Sequence, residues 1–298
     1  DQGAGSYASL QVVQGRPYVS YQDSTVGESA VYSAYRDSTG WNSVEIDSVQ
    51  NNGPNVGMYN ALTEHRGRPF MIYHASSGRR LIAAYPENGR WVREELDTDK
   101  GWFNDLASCD SAVIAGFTDT ETGDVHTGRY MSDWSMENLN LSTDSDLAVD
   151  QLNCDPLLVY QDDSKQSIEF VRNGERTKID DTRFARVSLD ATQQGFHVSY
   201  RDYGEGLGYA YSPDGVNWST ELVDNSTDAG VYNDIEVAEN GDVHVLYRNE
   251  SALIHAQYLK GSAGELQTYY RTSQTVFGTI AIISILSVNG GKSYKDKK

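Results

Sequence analysis

The chain has 298 residues, with 43 Asp and Glu against 24 Lys and Arg and a formal net charge of −19. It is long enough to bury a large core, and its charge argues against bare DNA or RNA as a partner, because phosphate binding requires the opposite sign. Twenty Tyr and 27 Gly suit an all-β fold, and no window sustains the three-and-four spacing of a helix.

The first copy of a recurring pattern runs through Gly15-Arg16-Pro17-Tyr18-Val19-Ser20-Tyr21-Gln22-Asp23, an alternating strand closed by an aromatic residue and a polar turn. A further strand, Ala30–Tyr35, follows, and Trp41 opens another. The second copy starts at Tyr59-Asn60-Ala61-Leu62 and turns at Arg66-Gly67 into Pro69–His74. It continues through Leu81–Tyr85 and Trp91. The third starts at Phe103-Asn104-Asp105-Leu106 and reaches its closing aromatic at Phe117, with Trp134 later. Leu157–Asp162 marks the fourth copy, Phe196–Asp202 with Leu207–Tyr211 and Trp218 the fifth, and Tyr232-Asn233-Asp234-Ile235 with Val243–Asn249 the sixth.

The closing aromatics Tyr21, Tyr73, Phe117, Tyr160, Tyr200 and Tyr247 are 52, 44, 43, 40 and 47 residues apart. A period of that length with four short strands per copy is the signature of a β-propeller. The expected fold is all-β, with six four-stranded blades over residues 1–273; residues 274–298, an apolar strand and a basic tail, either close that ring or begin a seventh copy with Phe277 at its start. The tryptophans are expected in the wedges between neighbouring sheets, where their large surface is best buried.

Ser212-Pro213-Asp214-Gly215-Val216-Asn217-Trp218 resembles the Asp box of sialidase-type propellers, a Ser-x-Asp-x-Gly-x-Thr-Trp turn between third and fourth strands, one residue short here. Ser287–Tyr294 fits the spacing with Asn for Asp and Tyr for Trp. In that class the box is a folding element, so the resemblance implies a fold and not an activity.

Cys109 and Cys154 fall near the first turn of adjacent copies, eight and six residues before their closing aromatics, and are expected to form a disulfide. With a first residue other than Met and Asn-x-Ser/Thr sequons at Asn140, Asn217, Asn225 and Asn249, this points to a secreted or cell-surface protein. The most apolar stretch is 276–288, too short to span a bilayer, which takes about 20 residues. It is expected to close the ring or to pair with another chain. The basic end, Lys292–Lys298, is expected outside the disc.

In a propeller the first strand of each blade begins, and the second ends, at the same mouth of the channel. The first-strand positions offer Asn60, Asn104, Asp105, Asn233 and Asp234 there, and the second-strand ends offer His74, Arg201 and Arg248. Arg201 and Arg248 could clamp a carboxylated sugar. Asp105 and Asp234 offer oxygen ligands to a divalent cation such as calcium, although no cofactor is required. Gln22, Asp23, Asp119, Gln161, Asp162, Asp202 and Asn249 complete the crown, but an Asp just after a strand commonly closes its own turn. Nothing maps onto a sialidase's arginine triad and Tyr-Glu pair, and His74 with Arg201 or Arg248 is the best available lyase set. The expected function is therefore a non-catalytic binding module for a protein or glycan. A carbohydrate-active enzyme, sialidase-like or a uronate lyase, is the alternative.

Overall fold

The computed structural model describes residues 4–24, 28–49, 55–143, 145–183, 185–249, 252–258 and 267–269. All regular structure among them is β. The first sheet comprises β1 (Ala4–Val13), β2 (Arg16–Asp23), β3 (Ser29–Asp37) and β4 (Gly40–Val49), and the second β5 (Val56–His65), β6 (Arg68–Ala75), β7 (Arg80–Glu87) and β8 (Arg90–Thr98). The third holds β9 (Lys100–Ser108), β10 (Val113–Asp119), β11 (Asp124–Tyr130) and β12 (Trp134–Ser142). The fourth holds β13 (Leu147–Leu152), β14 (Asp155–Asp162), β15 (Ser167–Arg172) and β16 (Glu175–Asp181). The fifth holds β17 (Val187–Thr192), β18 (Gly195–Asp202), β19 (Gly206–Ser212) and β20 (Ser219–Asp224). The sixth holds β21 (Asn233–Val237), β22 (Val243–Asn249), β23 (Ala252–Tyr258) and β24 (Gln267–Tyr269). Every sheet is an antiparallel meander in chain order, and the six form the ring of a β-propeller.

The core lies between sheets, because the second to fifth blades bury both faces against their neighbours. Tyr73, Phe117, Tyr160, Tyr200 and Tyr247 are buried, and three of these tyrosines also satisfy their hydroxyls. Each donates to an aspartate on the outermost strand of the preceding sheet: Tyr73 to Asp47 (2.9 Å), Tyr200 to Asp180 (2.6 Å) and Tyr247 to Asp224 (2.9 Å). One side chain thus fills the wedge and ties two blades.

Three of the four repeat tryptophans pack as expected. Trp91 joins the cluster between the first two sheets, Trp134 lies 6.0 Å from Phe70 of the second sheet, and Trp218 lies 5.3 Å from Phe170 of the fourth. Trp41 differs, at 53% exposed. Its partner would be the sixth sheet, which among the described residues makes no contact with the first comparable to those joining the other sheets. Tyr21, the first closing aromatic, is for the same reason only half-buried.

Cys109 and Cys154 form a disulfide between the β9–β10 and β13–β14 turns, with Cα atoms 5.5 Å apart. Closing a loop between residues 45 apart stabilises by up to ~4 kcal/mol in the chain-entropy model. The turn at Ser212–Trp218 forms between β19 and β20. The Gly215 N–H donates to Ser212 Oγ (2.8 Å), and those of Val216 and Asn217 donate to Asp214 Oδ1 (2.9 and 2.8 Å). These bonds hold the Asp214 carboxyl well below the usual range. The segments 276–288, 287–294 and 292–298 lie outside the described residues.

Candidate functional site

The innermost strands β1, β5, β9, β13, β17 and β21 line one central cavity of about 690 Å³. Pairing with the second strands sets their register. Ser9, Ala61, Asp105, Ala148, Ser188 and Asp234 lie opposite the residue before the closing aromatic in their blades. Two residues further on stand Gln11, Thr63, Ala107, Asp150, Asp190 and Glu236, and two residues earlier Tyr7, Tyr59, Phe103, Asp146, Arg186 and Tyr232. The channel is therefore a stack of three six-membered rings, the last of them at the mouth.

The lower rings are occupied with structure. Inner strands of adjacent blades are not hydrogen-bonded as a sheet, so side chains stitch them together. Val149 N–H donates to Asp105 Oδ2 (2.7 Å), Ala191 N–H to Asp150 Oδ2 (2.6 Å), and Val237 N–H to Asp190. Leu62 N–H donates to Ser9 Oγ (3.1 Å), and Ser188 Oγ donates to Asp234 Oδ1 (3.1 Å). Burial pushes Asp105 up to about 7, against the pull of these N–H groups, and Asp190 up to about 6. Glu236 rises to about 8, through burial and then the charges of Asp190, Asp234 and Asp150. Among the described residues no group of three or more His, Cys, Asp or Glu is placed to hold a metal ion.

The mouth ring departs from the repeat. Tyr7, Tyr59 and Phe103 form an arc across three blades, with centroids 4.9 and 5.2 Å apart and rings tilted by 52° and 58°. All three sit in left-handed backbone, φ 49° each, in a bulge that begins at Gly5, Gly57 or Gly101. That conformation is costly for a bulky residue and persists only where its surroundings impose it. A Cβ on Gly57 would lie 2.6 Å from that of Val31, so the bulge requires glycine there. Arg186 places its guanidinium 5.8 Å from the Phe103 centroid, donates to the Ser145 carbonyl (3.3 Å) and pairs with Asp146 at 3.7 Å. Burial raises Asp146 to about 6 even with Arg186 beside it, and Tyr59 is raised to about 12, chiefly by burial. Tyr7 and Tyr232 are each 41% exposed and complete the rim.

Asn60 and Asn233 build this ring from behind. Each donates from Nδ2 to the carbonyl of the glycine three residues earlier, Gly57 or Gly230, at 3.0 Å. Each accepts at Oδ1 from a serine of the preceding blade, Ser20 or Ser199, at 2.6 Å. Asn233 also donates to the Arg186 carbonyl (3.0 Å). Asn104 occupies the same position, but Ile72 stands where the serine would be, and neither polar atom of its side chain has a partner.

Five of the eight residues read from the sequence, Asn60, Asn104, Asp105, Asn233 and Asp234, do line the cavity, whereas His74, Arg201 and Arg248 do not. His74 is buried and donates from Nδ1 to the Lys100 carbonyl (3.1 Å), with burial lowering its pKa. Arg201 donates to the Thr227 carbonyl (3.4 Å) and lies over Tyr203. Asp119 and Asp162 close their own turns, accepting from Glu121 and Lys165 N–H groups respectively. Sequence reasoning finds none of the six mouth residues as a site: Tyr59, Phe103 and Tyr232 enter it only as strand-opening aromatics, and Tyr7, Asp146 and Arg186 not at all. The recurring Gly-x-aromatic step at 5–7, 57–59, 101–103 and 230–232 was the available signal, and it is absent from the two blades that carry the charges.

No family model matches the chain, and no curated protein sequence does. Solved structures do match. The fucose-recognising lectin of the fungus Aleuria aurantia, a six-bladed β-propeller, superposes with a TM-score of 0.58 at 10% identity, covering 92% of this chain and 97% of the lectin. An α-L-arabinofuranosidase from Fusarium graminearum, solved with an iminosugar inhibitor, matches with a TM-score of 0.51 at 14% identity, over 93% of this chain and 83% of that one. A prolyl endopeptidase matches with a TM-score of 0.56 at 10% identity, but this chain spans only 41% of its length. The likeness is one of fold. It extends to the six-bladed propeller, and of the two turns that carry the narrower sialidase-type resemblance only Ser212–Trp218 lies among the described residues.

Proposed function

We propose that the chain is a secreted or surface-displayed glycan-binding propeller whose site is the channel mouth. The observation that carries this reading is the ring of Tyr7, Tyr59, Phe103, Asp146, Arg186 and Tyr232, which breaks the repeat at one end of the channel, where Tyr7 and Tyr232 are exposed. Aromatic walls with a few converging polar groups are the usual make-up of a small-ligand site. The apolar face of a pyranose packs on such rings, while an Arg–Asp pair meets its hydroxyls. The disulfide supports an oxidising compartment, and the sugar-binding fold neighbours agree with the ligand class without establishing it.

A glycosidase needs two carboxyl groups free to flank a scissile bond. Asp105, Asp150 and Asp190 each accept a backbone N–H of the next blade, which favours binding over hydrolysis. A glycan array followed by calorimetry tests the reading. Tyr59→Ala should weaken any saccharide bound by about tenfold or more, or about 1.4 kcal/mol. Binding that survives both Tyr59→Ala and Arg186→Ala would place the site elsewhere, and release of product from the bound oligosaccharide would restore the enzymatic alternative.

A further inference from the structure

The charges around the cavity narrow the ligand class. Among the described residues, Arg186 is the sole Lys or Arg that lines it, and its charge is already engaged by Asp146. Behind the mouth lie Asp105, Asp150, Asp190, Asp234 and Glu236, with no further cation among the lining residues to balance them. An anionic ligand would therefore meet one neutralised arginine backed by carboxyl groups. A neutral sugar meets a different surface. The guanidinium donates, the Asp146 carboxylate accepts, and the two stand side by side on adjacent blades, as a vicinal diol requires. The 3.7 Å pair is itself half open, with the Arg186 side chain 41% and the Asp146 side chain 18% exposed, so both can be reached.

Resting on the glycan-binding reading above, we infer that the mouth selects a neutral saccharide end and rejects uronic and sialic acids, and that Asp146 is the residue that sets this choice. Asp146 acts by holding the Arg186 charge. With Asp146 neutral, Arg186 would be free to form a charge-assisted pair with a sugar carboxylate. The anion clamp expected at Arg201 and Arg248 has no part in this, since neither lines the cavity.

Matched probes isolate the charge: methyl β-D-glucoside with methyl β-D-glucuronide, and methyl β-D-galactoside with methyl β-D-galacturonide, titrated by calorimetry at pH 7.5, where the Asp146 carboxyl is ionised. The neutral member of whichever pair binds should do so about tenfold or more tightly than its uronate, because like charges set face to face are repelled. Asp146→Asn retains an acceptor oxygen for the Val187 N–H (3.2 Å) and should shift the ratio of neutral-sugar to uronate affinity about tenfold towards the uronate. Asp146→Glu keeps the charge and should keep the discrimination, which separates charge from shape. Thermal melting of both variants confirms that they are folded. If the neutral sugars bind but the uronates bind as well, or if Asp146→Asn leaves their ratio unaltered, selection by Asp146 is overturned and the glycan site stands. If a broad array finds no saccharide ligand for the wild type, both fall together.

Discussion

Asn60, Asn104 and Asn233 occupy one position of the repeat, yet only two of them are satisfied. The difference lies in the preceding blade, which supplies Ser20 and Ser199 to Asn60 and Asn233 but Ile72 to Asn104. A buried amide with its bonds made stabilises, and one without them leaves its desolvation cost uncompensated. Asn60→Ala and Asn233→Ala should therefore each lower stability by about 1–3 kcal/mol in urea unfolding, and Asn104→Ala by well under ~1 kcal/mol. Equal losses at all three positions would mean that Asn104 has partners in solution. Asn233→Ala should in addition weaken saccharide binding, since that side chain holds the Arg186 carbonyl.

At the scale of elements, and among the described residues, five interfaces between consecutive sheets are filled, and the face of the first sheet directed at the sixth is not. Trp41 is 53% exposed there, beside a half-buried Tyr21. Aromatic surface of that extent gains from being covered, at roughly 25 cal/mol per Å². The chain leaves β24 on the outer edge of the sixth sheet with 29 residues still to come, from 270 to 298, among them the apolar stretch 276–288. We expect that stretch to supply the cover. Removing 274–298 should then lower the melting temperature by several degrees or drive self-association. A truncated protein that stays monomeric with an unchanged melting temperature would show that the stretch serves a partner instead.

For the whole molecule, pH separates two sets of carboxyl groups. Those of the channel have folded pKa values raised above their unfolded ones: Asp146 and Asp190 to about 6, Asp105 to about 7 and Glu236 to about 8. The folded state binds more protons than the unfolded one in that interval, so their contribution is complete below about pH 4 and is lost as pH rises towards 8. The turn carboxyls run the other way. Asp119, despite burial, is held at about 2 by Lys100 and the Glu121 and Thr122 N–H groups, so its contribution is lost as pH falls below about 4. The melting temperature should peak near pH 4–5 and decline towards pH 8. Glu236→Gln should raise it at pH 8 more than at pH 5. A melting temperature that climbs steadily from pH 5 to 8 would contradict this account of the channel.

The propeller was legible because its causes are local. Alternation, turn glycines and a closing aromatic recur at one period, and Tyr73, Phe117, Tyr160, Tyr200 and Tyr247 are buried where that period puts them. The disulfide was legible for the same reason, as its two cysteines hold similar places in adjacent copies. The ring at the mouth was not, since Tyr7, Asp146 and Arg186 look unrelated until strand pairing aligns six inner strands drawn from residues 4–237. Arg201 and Arg248 looked like a clamp by their repeat position, but Arg201 turns to the Thr227 carbonyl at the entry to the next blade, and neither lines the cavity. Sequence by itself determined that the fold is a propeller and what each of its six clear blades is made of, because short-range patterning dictates strand and turn. Only the tertiary structure decided which side chains share the channel mouth, because residues up to 225 apart meet there through register and ring geometry.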